Sequence, residues 1–172
     1  MSTKNDRQIP EGAIAREESP GYAGFETVPL PEAYRLVTPG VPVLVASKGR
    51  HYNLAPIAWN CPLDYEPVTK LLFVCDPAHQ TARNVKETGE FAVCVPESAD
   101  APLIELCGSV SSPDIDKFER FSIASVKAEK IDVRVPDSAV AWIECKLIRV
   151  IPEGAVEIFL GEAVAAWAGT AR

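Results

Sequence analysis

Two segments of this chain carry the residue types and spacing from which a ligand site can be built. The first is Asn53–Pro62, which reads NLAPIAWNCP. Pro56 has no N–H, so it interrupts a β-ladder and predicts a bulge or a sheet edge. Irregular backbone leaves N–H and C=O groups free to hydrogen-bond a flat polar ring. Trp59 would either wall that ring or pack in the core, and the sequence leaves both roles open.

The second segment is His79–Asn84, which reads as the start of a helix. The Thr81 hydroxyl is placed to cap that helix, and this is the commoner role of such a threonine. It is equally placed to hold a phosphate, because the N-terminus of a helix carries partial positive charge. Arg83 would pair with the same phosphate, or it is a solvated helix residue.

Together the two segments predict a site with a ring end and a phosphate end, and flavin mononucleotide (FMN) offers both groups. Lys117 would stabilise the negative charge that a reduced flavin develops, or it is a surface lysine on an amphipathic turn. Cys61 is interpreted as a small residue at a crowded turn. His51 and His79 are possible proton donors, but neither is assigned, so no catalytic residue is predicted.

Composition narrows the classes of function. The chain has 172 residues, of which 47% are hydrophobic and 24% charged, as in one ordinary globular domain. A net charge of −7 without a Lys/Arg run argues against nucleic-acid binding. No apolar stretch is long enough to span a membrane, and no signal peptide is visible, so a cytoplasmic protein is expected. Five cysteines without Cys-x-x-Cys and two histidines without ligand spacing favour reduced thiols over disulfides or a zinc site.

Short apolar runs separated by turn residues must position these segments. The predicted strands are 41–48, 51–59, 71–75, 91–95, 139–151 and 155–167, with a turn at 152–154. The predicted helices are 30–37, 81–88, a helix capped by Ser98 that ends at Gly108, and 115–121. Residues 127–137 are expected to cross the surface, and 1–27 to form an arm that is loose or packs on a neighbour. Hairpin connections favour a closed antiparallel barrel over a doubly wound sheet, and no Gly-x-Gly-x-x-Gly turn is present.

Several motifs, in consistent order, resemble the flavin reductase-like family, particularly its flavoredoxin-type branch. The matching runs are Tyr34–Val45, Asn53–Pro67, His79–Val85, Thr88–Val93, Glu105–Gly108, Asp116–Phe118 and Phe159–Val164. The resemblance covers roughly residues 28–168, and ordered agreement of several motifs is more specific than any single one.

The resemblance implies a mainly β fold with short helices, the FMN-binding split β-barrel of antiparallel, Greek-key type, over residues 28–172. It implies a homodimer with non-covalent FMN near the interface. It also implies hydride transfer from NADH or NADPH, with electrons passed to free flavin or to a protein acceptor. By position, the residues that would contact FMN are Asn53, Ala55, Ala58, Trp59, Asn60, Cys61, Gln80, Thr81 and Lys117.

Two departures from the family pattern bear on cofactor retention. Ala55 stands where relatives often carry a hydroxyl residue, so one phosphate or ribityl contact is expected to be missing. The sequence stops at Arg172, where many relatives continue with a segment near the flavin. The resemblance therefore implies a more open flavin, or one covered by the arm or the partner subunit. The alternative to an oxidoreductase is a non-catalytic FMN-binding module, and a scaffold that lost its flavin is a third possibility.

Overall fold

The computed structural model of the chain describes residues 22–36, 41–97 and 101–170. The strands are β1 Phe25–Thr27, β2 Val43–Lys48, β3 Tyr52–Ile57, β4 Asn60–Asp64, β5 Lys70–Cys75, β6 Glu90–Pro96, β7 Ser125–Lys127, β8 Arg134–Pro136, β9 Ala139–Glu153 and β10 Val156–Gly169. The helices are a 3₁₀ helix Leu30–Leu36, α1 Gln80–Thr88, α2 Ala101–Gly108 and α3 Lys117–Arg120.

The main sheet runs in the order β3-β2-β6-β9-β10-β5-β4, with β1 also paired to β10. Every strand pairing in the described part of the chain is antiparallel. The predicted mainly β fold with short helices is therefore confirmed. The hairpin pattern favoured a closed barrel, but β3 and β4 do not pair with each other, so the sheet stays open between them and the barrel is split.

The central strands are buried on both faces, because the sheet separates two apolar clusters. Within β2, Val43 and Val45 belong to an inner core, whereas Leu44 and Ala46 belong to an outer core. Neighbouring residues of a strand point to opposite faces, so a strand buried on both sides reads as a continuous apolar run. The inner core is centred on the aromatic rings of Phe73, Phe91 and Phe159. The outer core contains Trp142 and Trp167.

The expectation that residues 127–137 cross the surface is wrong. β7 and β8 pair there as a small separate sheet, and four apolar side chains of the segment are buried in the outer core: Ala128, Ile131, Val133 and Val135. The buried carboxylate of Glu144 accepts hydrogen bonds from the backbone N–H groups of Glu129 (3.0 Å) and Lys130 (2.7 Å). The apolar face that this segment covers is formed by strands distant in sequence, so the local pattern of residues 127–137 did not predict its burial.

The predicted strand at residues 51–59 is shorter in the structure and is followed by a strand that was not predicted. β3 ends at Ile57, and β4 begins at Asn60 and pairs with β5. The Asn60 side chain holds the link by donating to the carbonyls of Ile57 (3.1 Å) and Val41 (3.0 Å). Pro62 lies in β4, which is a sheet edge, where a missing N–H is tolerated. Pro56 lies in β3, the strand at the other end of the sheet order, so the sheet edge predicted from Pro56 is confirmed.

The predicted hairpin turn at residues 152–154 is displaced. Glu153 pairs with Val156, so the loop consists of Gly154 and Ala155 alone. Gly154 has a φ of +59°, in the left-handed region that glycine adopts without strain. β9 and β10 are consequently longer than predicted, and together they form the central pair of the sheet, between β6 and β5.

The predicted helices are present within the described residues. α1 ends at Gly89, which is left-handed (φ +70°) and donates its N–H to Val85 (2.9 Å), as expected of a helix stop. Ser98 lies outside the described residues. Phe25–Thr27, from the predicted arm, pair with β10, and the arm's residues 1–21 lie outside the described part. No helix within the described ranges is long and apolar enough to cross a membrane; a cytoplasmic location stays a prediction.

Candidate functional site

A cleft of about 230 Å³ lies where β3, the start of α1, the loop after α2 and the start of α3 meet. β3 contributes Ala55, Pro56 and Ile57, and the residues with polar side chains on the wall include His79, Thr81, Ser111 and Lys117. Pockets for small molecules usually measure roughly 300–1,000 Å³. This cleft therefore encloses only part of a cofactor-sized ligand.

Thr81 lies inside the first turn of α1, so the prediction that it caps the helix is wrong. The N-cap is His79, whose side chain makes no capping hydrogen bond. Thr81 is only 2% exposed, and its Oγ1 accepts a hydrogen bond from Asn53 Nδ2 (2.9 Å). Among the described residues no acceptor takes the hydroxyl proton of Thr81. That proton is available to an anionic ligand at the positive end of α1.

Ser111 is a cleft residue that the sequence did not reveal. Its Oγ accepts a hydrogen bond from the backbone N–H of Gln80 (3.0 Å), which ties the loop after α2 to the first turn of α1. Ser111 lines the same cleft as Ala55, so it brings a hydroxyl to the cleft whose wall lacks one at Ala55. The residues it joins are 31 positions apart, and a serine in a loop carries no local signal of such a contact.

Lys117 is buried (3% exposed), which excludes the interpretation as a surface lysine. Its Nζ donates to the backbone carbonyls of Leu54 (2.8 Å) and Cys107 (2.7 Å). Asp116 caps α3 by accepting from the N–H of Glu119 (3.1 Å) and also accepts from the N–H of Tyr52 (3.1 Å), so the first residue of α3 is held against β3. Burial lowers the pKa of Lys117 below its ordinary value. No carboxylate in the described part of the chain forms an ion pair with it.

His79 also lines the cleft, and Cys75 lies beneath it. The Cys75 Sγ is 3.8 Å from His79 Nδ1. Burial raises the pKa of Cys75 to about 11, so the thiol keeps its proton at neutral pH and can donate it to the ring nitrogen. Of the two histidines, His79 is therefore the one with a defined place at the cleft.

Asn53 and Gln80 lie behind the cleft wall. Asn53 is buried, and its Nδ2 donates to Ser47 Oγ (3.3 Å) as well as to Thr81. Gln80 Nε2 donates to Asn84 Oδ1 (2.6 Å), while Gln80 Oε1 is buried without a partner among the described residues. Asn53 therefore bonds Thr81 directly, whereas Gln80 is linked to it through Asn84, Ser47 and Asn53.

The other four predicted contacts continue along the chain from Ile57, beyond the cleft. They are Ala58, Trp59, Asn60 and Cys61. Trp59 is 65% exposed, which excludes core packing for its ring. Asn60 Oδ1 is buried and has no partner among the described residues. The structure thus brings Ala55, Thr81 and Lys117 into one cleft, with these four residues following its β3 wall; contact of the nine residues with FMN stays a prediction.

Comparison with known proteins agrees with this architecture. A family model described as "Flavin reductase like domain" matches residues 34–172. The uncharacterized protein YddH from Escherichia coli (strain K12) is 30% identical over 128 residues, an alignment that covers 72% of this chain and 67% of YddH.

The chain is also similar to solved structures. An FMN-binding domain of a flavin reductases-like enzyme from Shewanella baltica OS155 has a TM-score of 0.74 at 31% identity, covering 85% of this chain and 78% of that one. The flavoredoxin of Desulfovibrio vulgaris (Miyazaki F) has a TM-score of 0.67 at 25% identity, covering 76% and 70%. These matches confirm the resemblance and the split-barrel fold that the sequence predicted.

The buried ammonium of Lys117 predicts a pH-dependent difference between the wild type and Lys117→Met. Because the folded-state pKa lies below the ordinary 10.5, the unfolded chain binds more protons than the folded chain between those two values. The stability of the wild type relative to the variant should therefore rise with pH across that window. Urea unfolding of cofactor-free protein from roughly pH 7 to 11 measures this difference. A difference that stays flat or falls contradicts the burial of a charged lysine, and Lys127→Met, at an exposed position, is the control.

Proposed function

This chain belongs to the flavin reductase-like family, and from that membership and the cleft we propose that it is an FMN-binding flavoprotein oxidoreductase. One observation carries the proposal. Lys117 and Thr81 line the same cleft, and both are buried. In the described part of the chain, the ammonium of Lys117 has no carboxylate partner, and the hydroxyl proton of Thr81 has no acceptor. This pairing suits a ligand with negative charge at two places, as a reduced flavin phosphate has.

The residues present fit FMN. Thr81 and Ser111 would donate hydroxyl protons to the phosphate, next to the positive end of α1. The backbone from Ala55 to Cys61 would face the ring, with Lys117 at its pyrimidine edge. The overall charge of −7 repels an anion, so these local donors must outweigh the global field. Bound FMN would supply hydride-transfer chemistry, and the protein's share is positioning and electrostatics.

Lys117 has a specific electrostatic role in this proposal. A buried charge without a counterion is costly to the fold. A negative ligand in the cleft would offset that cost and raise the pKa of Lys117 back toward its ordinary value. The same attraction favours the anionic, reduced form of a flavin over the neutral, oxidised form. Lys117 thus couples ligand binding to ligand reduction.

NADH or NADPH is the proposed hydride donor, and free flavin or a protein is the proposed electron acceptor. Both follow from the family, and the partly enclosed cleft is compatible with a second reactant that reaches a bound flavin. The second candidate is a non-catalytic module that holds FMN without turning over reduced nicotinamide. It is favoured by the lining of the cleft, in which Thr81, Ser111 and Lys117 are donors suited to holding an anion.

Oxidation of NADH and of NADPH, followed with FMN supplied, separates the two candidates. The oxidoreductase should take up FMN, turn yellow and oxidise at least one nucleotide faster than the free-flavin blank. A yellow preparation without turnover above the blank leaves only the binding module. A colourless protein that does not take up FMN eliminates both candidates.

Thr81→Ala should weaken FMN binding. One hydrogen bond to a charged group is worth about 1.5–3 kcal/mol, which corresponds to about a 10- to 150-fold rise in Kd. Quenching of flavin fluorescence measures the change. Thr88→Ala, the same substitution at an exposed position at the opposite end of α1, is the matched control. Unchanged affinity in Thr81→Ala would mean that its hydroxyl does not contact the ligand.

We also propose that the protein is a homodimer formed through the outer face of the sheet around β5. Register places Ile151, Ile158 and Val74 side by side on three neighbouring strands, and the N–H of Val74 donates to the carbonyl of Trp59 (2.9 Å). Ile151 and Trp59 are exposed and Ile158 and Val74 are partly exposed, and contiguous exposed apolar surface marks interaction sites. A second copy seated there would also extend a cleft that alone is small for FMN.

Trp59→Glu and Ile151→Glu should convert the dimer to a monomer, because each places a charge in the proposed interface. Light scattering coupled to size-exclusion chromatography measures the mass. Val140→Glu, which also replaces an exposed apolar residue but lies at the far end of β9, should leave the dimer intact. A wild-type protein that is monomeric at tens of micromolar would rule out the interface.

A further inference from the structure

We propose that Ser47 and Asn84 are positioning residues that present the Thr81 hydroxyl to the phosphate of a bound flavin. The inference rests on the proposed function, because it assigns a role within the same site. Neither residue lines the cleft, so both would act through others. Their role follows from a chain of buried hydrogen bonds between β2, β3 and α1.

The chain of hydrogen bonds contains five polar side chains. Gln80 Nε2 donates to Asn84 Oδ1 (2.6 Å), and Asn84 Nδ2 donates to Ser47 Oγ (3.3 Å). Asn53 Nδ2 donates both to Ser47 Oγ (3.3 Å) and to Thr81 Oγ1 (2.9 Å). Three elements are therefore linked behind the wall of the cleft.

Ser47 is the centre of this network. It is buried (1% exposed) and accepts one hydrogen bond from each of the two asparagine amides. Because a buried amide N–H without an acceptor is costly and the Ser47 oxygen has two acceptor sites, these two hydrogen bonds favour the orientation in which both NH₂ groups point toward Ser47. In this orientation Asn53 directs its second N–H to Thr81.

The direction of that last hydrogen bond matters for ligand binding. Because Asn53 donates to Thr81 Oγ1, the hydroxyl acts as an acceptor toward the protein and keeps its own proton for a ligand. If the Asn53 amide were reversed, its oxygen would take the Thr81 proton, and the cleft would lose a donor. A hydroxyl that donates recognises a phosphate oxygen; one that has given its proton to the protein does not.

Gly49 provides independent support. A Cβ at this position would collide with Asn84 Oδ1 and would lie 3.1 Å from Asn84 Cγ. The Asn84 amide is bound at one end by Gln80 and at the other by Ser47, so it cannot turn away without breaking the network. The glycine in the β2–β3 turn thus leaves the space that the Asn84 amide occupies.

The test compares FMN with riboflavin, which has the same ring and ribityl chain but no phosphate. Affinities are measured by fluorescence quenching for the wild type, Ser47→Ala and Gly49→Ala. Gly49→Ala keeps all five polar side chains and only displaces Asn84, so it tests the geometry if Ser47→Ala fails to fold. Arg50→Ala, exposed in the same turn, is the control. The double variant Ser47→Ala/Thr81→Ala tests whether Ser47 acts through Thr81.

Both network variants should bind FMN about tenfold more weakly, the loss of about one hydrogen bond, with riboflavin affinity changed less than about twofold. The double variant should bind FMN no more weakly than Thr81→Ala alone. Equal losses for FMN and riboflavin would show a merely structural role and overturn the inference, as would unchanged FMN affinity or additive losses in the double variant. A wild type that binds FMN no better than riboflavin would overturn the phosphate assignment itself, and one that binds neither would overturn the proposed function.

Discussion

The close contact between Phe91 and Gly161 is the constraint on which the shape of this protein depends. A Cβ on Gly161 would collide with the Phe91 ring and lie 3.2 Å from Cys145 Cβ. The β9–β10 register shifts on either side, between Leu160 and Gly161 and between Ala163 and Ala165. Such irregularities bend a strand and increase its twist. The long β9–β10 pair can therefore curve around the inner core instead of forming a flat sheet.

This curvature decides where the cleft lies. β9 pairs with β6 over its first half, and β10 pairs with β5 over its first half. Because β9 and β10 are antiparallel, these two halves lie at opposite ends of the central pair. The strands β6, β2 and β3 therefore extend from one end, and β5 and β4 extend from the other. They come together again at the break between β3 and β4, where no ladder closes the barrel. β3 is thereby left with a backbone edge that α1, α2 and α3 surround. The candidate cleft occupies the gap at which a closed barrel would have continued its hydrogen bonds.

Two polar features of this gap would be unfavourable in a protein selected for stability alone. Lys117 is a buried ammonium that has backbone carbonyls as its partners among the described residues, and the network from Gln80 to Thr81 places five polar side chains beside the inner core. Buried polar groups add little net stability even when satisfied and are costly when left unpaired. Their concentration at one cleft, in an acidic chain, is understandable if they bind an anionic ligand that completes their electrostatics.

The sequence by itself determined most of the elements and the family. Local turn and stop residues placed α1 and its end at Gly89, and apolar runs placed β2, β5, β6, β9 and β10, because these features depend on neighbouring residues alone. The ordered motifs included the segments that contribute Ala55, Thr81 and Lys117 to the cleft. Only the tertiary structure decided that residues 127–137 cover the outer core and that His79, and not Thr81, is the N-cap of α1. It also decided that Lys117 is buried, that Ser111 lines the cleft and that Ser47 and Asn84 are hydrogen-bonded behind it. Each of these depends on contacts between residues far apart in the chain, and a side chain's burial and hydrogen-bond partners are set by what the fold packs against it rather than by its neighbours in sequence.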